Sequence, residues 1–156
     1  MEITARFYDA LCDEARYIRE EVFVKEQGFE NEFDETDGWA THLVLFCDGH
    51  PAAVARMFEL QEQPGVFMLG RIAVLPQYRL LHLGSRLLAE LAHKAAELGA
   101  KRIELSAQSR VQHFYEKNGF TAVGEPYMDE HCEHIYMVKQ ISTEKSGRTG
   151  ADVQKP

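Results

Sequence analysis

The sequence predicts an α/β (α+β) fold: one mixed, mostly antiparallel sheet of about six to seven strands, with helices on both faces. Three observations predict it. Residues 41–74 alternate in apolar runs broken by turn signals: THLVLFC, then Asp48-Gly49, then AAVARMFEL, then Pro64-Gly65, then VFMLGRIAV. The period then becomes helical, with Leu83, Leu87, Leu88, Leu91, Ala92, Ala95 and Leu98 on one stripe. A further alternating run, RIELSA at residues 102–107, follows the helix. Strand–helix–strand order calls for a right-handed crossover and parallel pairing.

Residues 3–7 alternate weakly and read as an edge strand. Asp9 is placed to cap a helix whose Leu11, Ala15, Ile18 and Val22 share one face. Residues 26–37, EQGFENEFDETD, hold six acidic residues and no basic one, with Phe29 and Phe33 between them. This segment reads as a loop outside the core, either simply solvated or attractive to a cationic amine. After the three-stranded meander and the long helix, Gly99 stands at a C′ position. Ser109 is a candidate cap for a short helix that runs to Asn118 and ends at Gly119. Residues 120–123 and 134–141 supply two closing strands. Residues 142–156 are polar and read as a disordered tail, leaving one domain over residues 1–141.

Composition narrows the function. With 156 residues, 45% of them hydrophobic, the chain can build one substantial core. A formal charge of -8 argues against a nucleic-acid partner, which needs a basic face. No apolar run reaches the length of a membrane span, so no membrane partner is expected. Cys12, Cys47 and Cys132 form no CxxC pair and read as reduced thiols of a cytoplasmic protein. HCEH at residues 131–134 has metal-ligand residue types, but nothing fixes its two histidines on one face, and no metal is expected.

One window is unusual. Residues 63–89 contain no Asp or Glu, although the long helix begins there; their basic residues are Arg71, Arg79 and Arg86. A helix N-terminus carries partial positive charge and unpaired N–H groups, and acid there normally stabilises it. Acid is absent either because the window packs in the core or because an outside anion fills the place. A phosphate or pyrophosphate suits such a cradle.

The order here is a strand ending in IAV, a loop with Pro76, then RLLHLGS from Arg79 to Ser85, then the helix. It resembles the pyrophosphate loop of the GNAT N-acetyltransferase superfamily, Arg/Gln-x-x-Gly-x-Gly/Ala. Arg79 and Gly84 match its first and last places; His82 stands at the middle glycine, and Leu80 replaces a glycine often found after the arginine. FYEKNGF at residues 114–120 is similar to the family's Tyr-x-x-x-Gly-Phe segment. EEVFVKEQ, the acidic stretch, ATH, GRIAV, LSAQ and HIYM occur in the order of the ElaA-like branch.

The resemblance implies a GNAT-like fold and a direct transfer of acetyl from acetyl-CoA, as co-substrate, to a small-molecule or peptide primary amine. It implies coenzyme contacts at Ile72, Ala73, Val74, Arg79, Leu80, Leu81, His82, Leu83, Gly84, Ser85, Gln108 and Lys117. A backbone N–H near Ala73 or Val74 would serve the thioester oxygen, and Tyr115 would be the general acid. For the base the candidates are His42, Glu104 and His134, or a water relay, with His42 named first because histidine titrates near neutrality. Many relatives pair through a late strand, so a homodimer is among the implied assemblies. The alternative is a non-catalytic acyl-CoA-binding or regulatory module of the same fold, suggested by the two missing loop glycines.

Overall fold

The structure, a computed structural model, describes residues 1–141; the tail expected at 142–156 lies outside the described residues. Seven strands form one sheet: β1 (Ile3–Tyr8), β2 (Thr41–Cys47), β3 (His50–Glu59), β4 (Val66–Val74), β5 (Arg102–Gln108), β6 (Thr121–Asp129) and β7 (Cys132–Gln140). Their order is β1-β2-β3-β4-β5-β7-β6. β4 and β5 are parallel; every other neighbouring pair is antiparallel. The helices are α1 (Asp13–Arg19), α2 (Leu83–Glu97) and α3 (Gln112–Lys117). At the β2–β3 turn, Asp48 and Gly49 both take positive φ, 49° and 83°. That is the geometry an Asp-Gly hairpin turn supplies.

Alternation divides the core between the two faces. Leu43, Leu45, Ala53, Met57 and Leu69 face the α2 stripe of Leu83, Leu87 and Leu91. Val44, Phe46, Val54 and Ala73 face Ala15, Ile18 and Val22 on the other side. Each buried leucine contributes roughly 1.5–3 kcal/mol through removal from water.

Several local expectations change. Asp9 caps nothing: α1 starts after Cys12 without a side-chain cap, and Asp13 and Glu14 put negative charge in its first turn. The apolar stripe does not continue as α-helix through Val22. Residues Glu20–Glu26 form a π-helical turn, closed by Gln27 N–H donating to Val22 O at 3.0 Å. Ser109 begins a 3₁₀ turn (Ser109–Val111), and its buried Oγ has no hydrogen-bond partner. β6 runs beyond residue 123 because a register shift between Val123 and Tyr127, around Gly124 at φ 79°, interrupts the alternation that the sequence pattern needs.

The acidic segment is not a solvated loop. Arg19, fully buried, donates to Glu32 Oε2 at 2.8 Å and to Asp37 Oδ1 and Oδ2 at 2.7 and 3.0 Å. Arg56 donates to Asp34 and Asp37, and Arg71 to the Glu32 carbonyl and Asp34. The Asp34 and Asp37 side chains also close a capping box on the 3₁₀ turn Glu35–Gly38. Burial pushes the Glu32 carboxyl up despite its arginines. Burial would raise Asp37 too, but hydrogen bonds from Arg19, the Asp34 amide and Arg56 override it and hold Asp37 well below the usual carboxylate range.

Removing one partner from such a pair leaves an uncompensated buried charge. Arg19→Ala is therefore expected to cost about 3–5 kcal/mol in urea unfolding. A loss below about 1 kcal/mol would show that the cluster does not anchor this segment.

Candidate active site

A cleft opens because two parallel strands part. β4 and β5 pair only from Val66↔Arg102 to Leu69↔Leu105. Beyond that point β4 continues along β3 to Val74↔Ala53, and β5 along β7 to Gln108↔His134. A bulge begins the divergence: Arg71 and Ile72 stand opposite the single residue Ala55, and Arg71 takes φ 54°. The opening encloses about 1040 Å³, at the upper end for ligand sites and roomy enough for two substrates.

The parting leaves backbone groups without a neighbour. Leu75 N–H donates to Ala52 O on β3 at 2.9 Å. Alternation then turns the amide and carbonyl of Val74 to the opposite edge, toward the cleft. Consistently, Val74 O accepts from Arg79 Nε at 2.9 Å. Of the two amides expected for a thioester oxygen, Val74 therefore faces the opening, while Ala73 sits in register with Val54 of β3.

The start of α2 forms one end of the cleft. No acid occupies its first turn and no side chain caps it, so its leading amides lack an intrahelical acceptor where His82, Gly84 and Ser85 line the opening. His82 holds φ 59° and ψ 31°, the left-handed conformation glycine adopts at least cost; a histidine costs roughly 1 kcal/mol there. Gly84 is required by packing: an added Cβ would stand 2.8 Å from Phe114 Cζ. Ile72, Ala73, Val74, Arg79, His82, Gly84 and Ser85 all line the cleft. Leu80 and Leu81 do not; Leu80 is 92% exposed, because the 3₁₀ turn Pro76–Leu81 directs it to solvent. Leu83 packs in the core beneath α2. The Arg79 fork is engaged by Glu26, at 2.8 and 2.7 Å.

Tyr115, Gln108, Lys117 and His134 form the opposite wall. The Tyr115 ring is held edge-on by Phe114 and Phe120, with centroids 5.1 and 5.9 Å away. Its hydroxyl makes no hydrogen bond to the described residues, and burial pushes its pKa up to about 12. It is a buried, protonated phenol in the wall of the cleft. Gln108 Nε2 donates to Gln27 Oε1 at 2.8 Å across the cleft. His134 Nδ1 lies 3.0 Å from Cys132 O. Donation to that carbonyl leaves Nε2 with the lone pair.

Two candidate bases fall away. His42 is fully buried and absent from the cleft lining; its Nε2 bonds Asp37 O at 3.0 Å, and its Nδ1 is buried without a partner. Glu104 is also outside the lining, because it pairs with Arg102 and accepts the Tyr136 hydroxyl. His134 is the remaining candidate side chain. Glu26, Arg56 and Arg71 line the cleft and were missed from sequence, although Arg71 stood out as a charge inside an apolar strand.

This arrangement, an acid-free helix start beside two parted strands, has counterparts of known family. The model of the acetyltransferase (GNAT) family matches residues 4–120. The chain belongs to that family. Among its GNAT relatives, the uncharacterized N-acetyltransferase YjcF of Bacillus subtilis is 35% identical over 129 residues, 81% of this chain and 90% of that protein. Protein ElaA of Escherichia coli is 26% identical over 128 residues, 80% of this chain and 84% of its own. The ElaA crystal structure superposes with a TM-score of 0.79, covering 89% of this chain and 100% of that one. An acyl-CoA N-acyltransferase from Pseudomonas aeruginosa superposes at 0.76 with 28% identity, covering 88% of this chain and 98% of that one.

A structural role for His42 has a pH signature. Burial lowers its pKa, so the folded protein keeps it neutral while the unfolded chain takes up a proton below about pH 6.5. Its contribution is present above that pH and lost as pH falls. The stability gap between the parent and His42→Gln should shrink by up to about 1.4 kcal/mol per pH unit below pH 6.5 in urea titrations. A pH-independent gap would contradict this.

Proposed function

We propose that this GNAT protein transfers the acetyl group of acetyl-CoA directly to a primary amine, with Tyr115 as general acid. The observation that carries the reading is the unbonded, protonated Tyr115 hydroxyl on the wall of a cleft whose far end is an acid-free helix start.

The chain's own groups divide the work. The leading amides of α2 bind the diphosphate, and the Arg79 fork joins them by exchanging the Glu26 carboxylate for it. The Val74 carbonyl, which accepts from Arg79 Nε and keeps a second lone pair, receives an amide of the coenzyme arm as an added strand would. A strand amide facing the cleft donates to the thioester oxygen as charge gathers there, worth about 3 kcal/mol. His134 Nε2 takes the proton that the amine loses. The nitrogen–carbonyl bond forms, the carbon–sulfur bond breaks, and Tyr115 protonates the departing sulfur. A phenol raised toward 12 is a reluctant donor, but the same burial raises the basicity of the thiolate and narrows the difference. Holding both reactants in one cleft supplies much of the acceleration.

Thiol release from acetyl-CoA in the presence of an amine panel tests the reading. Tyr115→Phe should lower kcat about a hundredfold or more while leaving coenzyme affinity within about twofold. Thiol release at the parental rate would remove Tyr115 from the mechanism. Coenzyme binding without thiol release from any amine would leave the non-catalytic module.

A further inference from the structure

Building on the acetyl-transfer reading above, we propose that the acceptor is an amine that also carries a carboxylate, and that the Arg71 guanidinium binds that carboxylate.

Arg71 sits in the β4 bulge, where a positive φ is sustained in a residue that is not glycine. Strain of that kind persists where surrounding structure enforces it, and the bulge re-aims the side chain. Arg71 lines the cleft beside Arg56 and Phe58, whose strand β3 turns these side chains to the face that α1 packs against. The helix α2, which would hold the coenzyme diphosphate, packs on the other face. The two substrates would then enter from opposite sides of the sheet.

Charge and access single out Arg71. Arg19, Arg56, Glu32 and Asp37 of the buried cluster expose 0–7% of their side chains. Asp34 is 41% exposed but does not line the cleft. Arg71 alone in the cluster both lines it and is appreciably accessible, at 25%. Its Nε and Nη2 are committed to Glu32 and Asp34, and its Nη1 has no partner among the described residues. The lining on this side also includes Phe29, Phe58 and Met68, which carry no charge, while Glu32 is the acceptor that an incoming carboxylate has to compete with. The acidic segment, whose Glu32, Asp34 and Asp37 are consumed by arginines, does not supply a cation site there. Negative charge not taken up by arginines lies at Asp129 and Glu130, both exposed on the β6–β7 side of the same opening. Opposite charges on two walls suit an amino acid, with its amine toward His134 and its carboxylate toward Arg71.

A charge-assisted hydrogen bond in a partly apolar wall, offset by the neighbouring Glu32, favours the acid over its amide by about ten- to a hundredfold. The test compares amino acids of increasing length with their carboxamides as acceptors, at saturating acetyl-CoA, by thiol release. The acids should win by at least about tenfold in kcat/KM. Arg71→Gln should abolish that preference through the acceptor KM, with the acetyl-CoA KM unchanged. Amides turned over as well as acids would overturn the proposal while leaving the transferase reading intact. Calorimetry on the CoA-loaded parent protein decides the matter without turnover or a folded variant. N-acetylated amino acids should bind at least about tenfold more tightly than their amides, and equal or weaker binding overturns the proposal.

Discussion

Everything functional in this molecule follows from the ending of one strand pairing. β4 and β5 bond as parallel neighbours for four residues each and then separate, each continuing along its other partner. An unpaired buried amide or carbonyl is costly, so a sheet parts in its middle only where other groups fill the gap. Here the gap exposes strand backbone on one side, the Tyr115 phenol on the other and a helix start at the end. The sheet tolerates this because each half is anchored separately, the β2–β4 half by α2 on one face and α1 on the other, and the β5–β7–β6 half by the helical segment Ser109–Lys117. GNAT membership gives the architecture a family; the split explains why a binding site forms there at all.

The second wall of the cleft is built from charge rather than from oil. Three arginines and three carboxylates interlock there. Apolar replacements for buried ion pairs are often as stable or more so; what directional hydrogen bonds add is a single geometry. With a guanidinium in the middle of two carboxylates, the segment from Phe29 to Asp37 has few alternative arrangements, and Phe29 and Glu32 are held at the cleft. Formal charge cancels within the cluster, so most of the protein's net negative charge resides elsewhere.

Much of this was legible in the sequence. Alternation located the three-stranded meander, the leucine stripe located α2 within a residue or two, and the acid-free window marked the helix start that lines the cleft. Tyr115 and the loop glycine Gly84 followed from the resemblance. The failures have physical causes. Residues 26–37 read as a loop, solvated or attractive to a cationic amine, because the segment holds six acids and no base of its own; the arginines come from α1, β3 and β4, at separations no local pattern reveals. His42 was named because it starts a strand beside the acidic segment, but alternation turns it into the sheet's covered face, where it is fully buried. Leu80, Leu81 and Leu83 were grouped in one binding stretch; a 3₁₀ turn followed by a helix sends their side chains in different directions, Leu80 to solvent and Leu83 into the core, so only their main chain is left to serve it. β6 was cut short because a bulge erases period-two signals.

The π-helical turn at Glu20–Glu26 has a consequence for how this wall tolerates length changes. Its wider winding stows one surplus residue between Arg19, locked in the charge cluster, and Gln27, which reaches Gln108 across the opening. Both ends are pinned, so the slack cannot move outward. Deleting a single residue here would restore ordinary winding and swing Phe23 and Glu26 about a quarter-turn around the axis, emptying their places in the lining. Within this segment, insertion and deletion act as a rotary adjustment of the cavity rather than as a change in loop length.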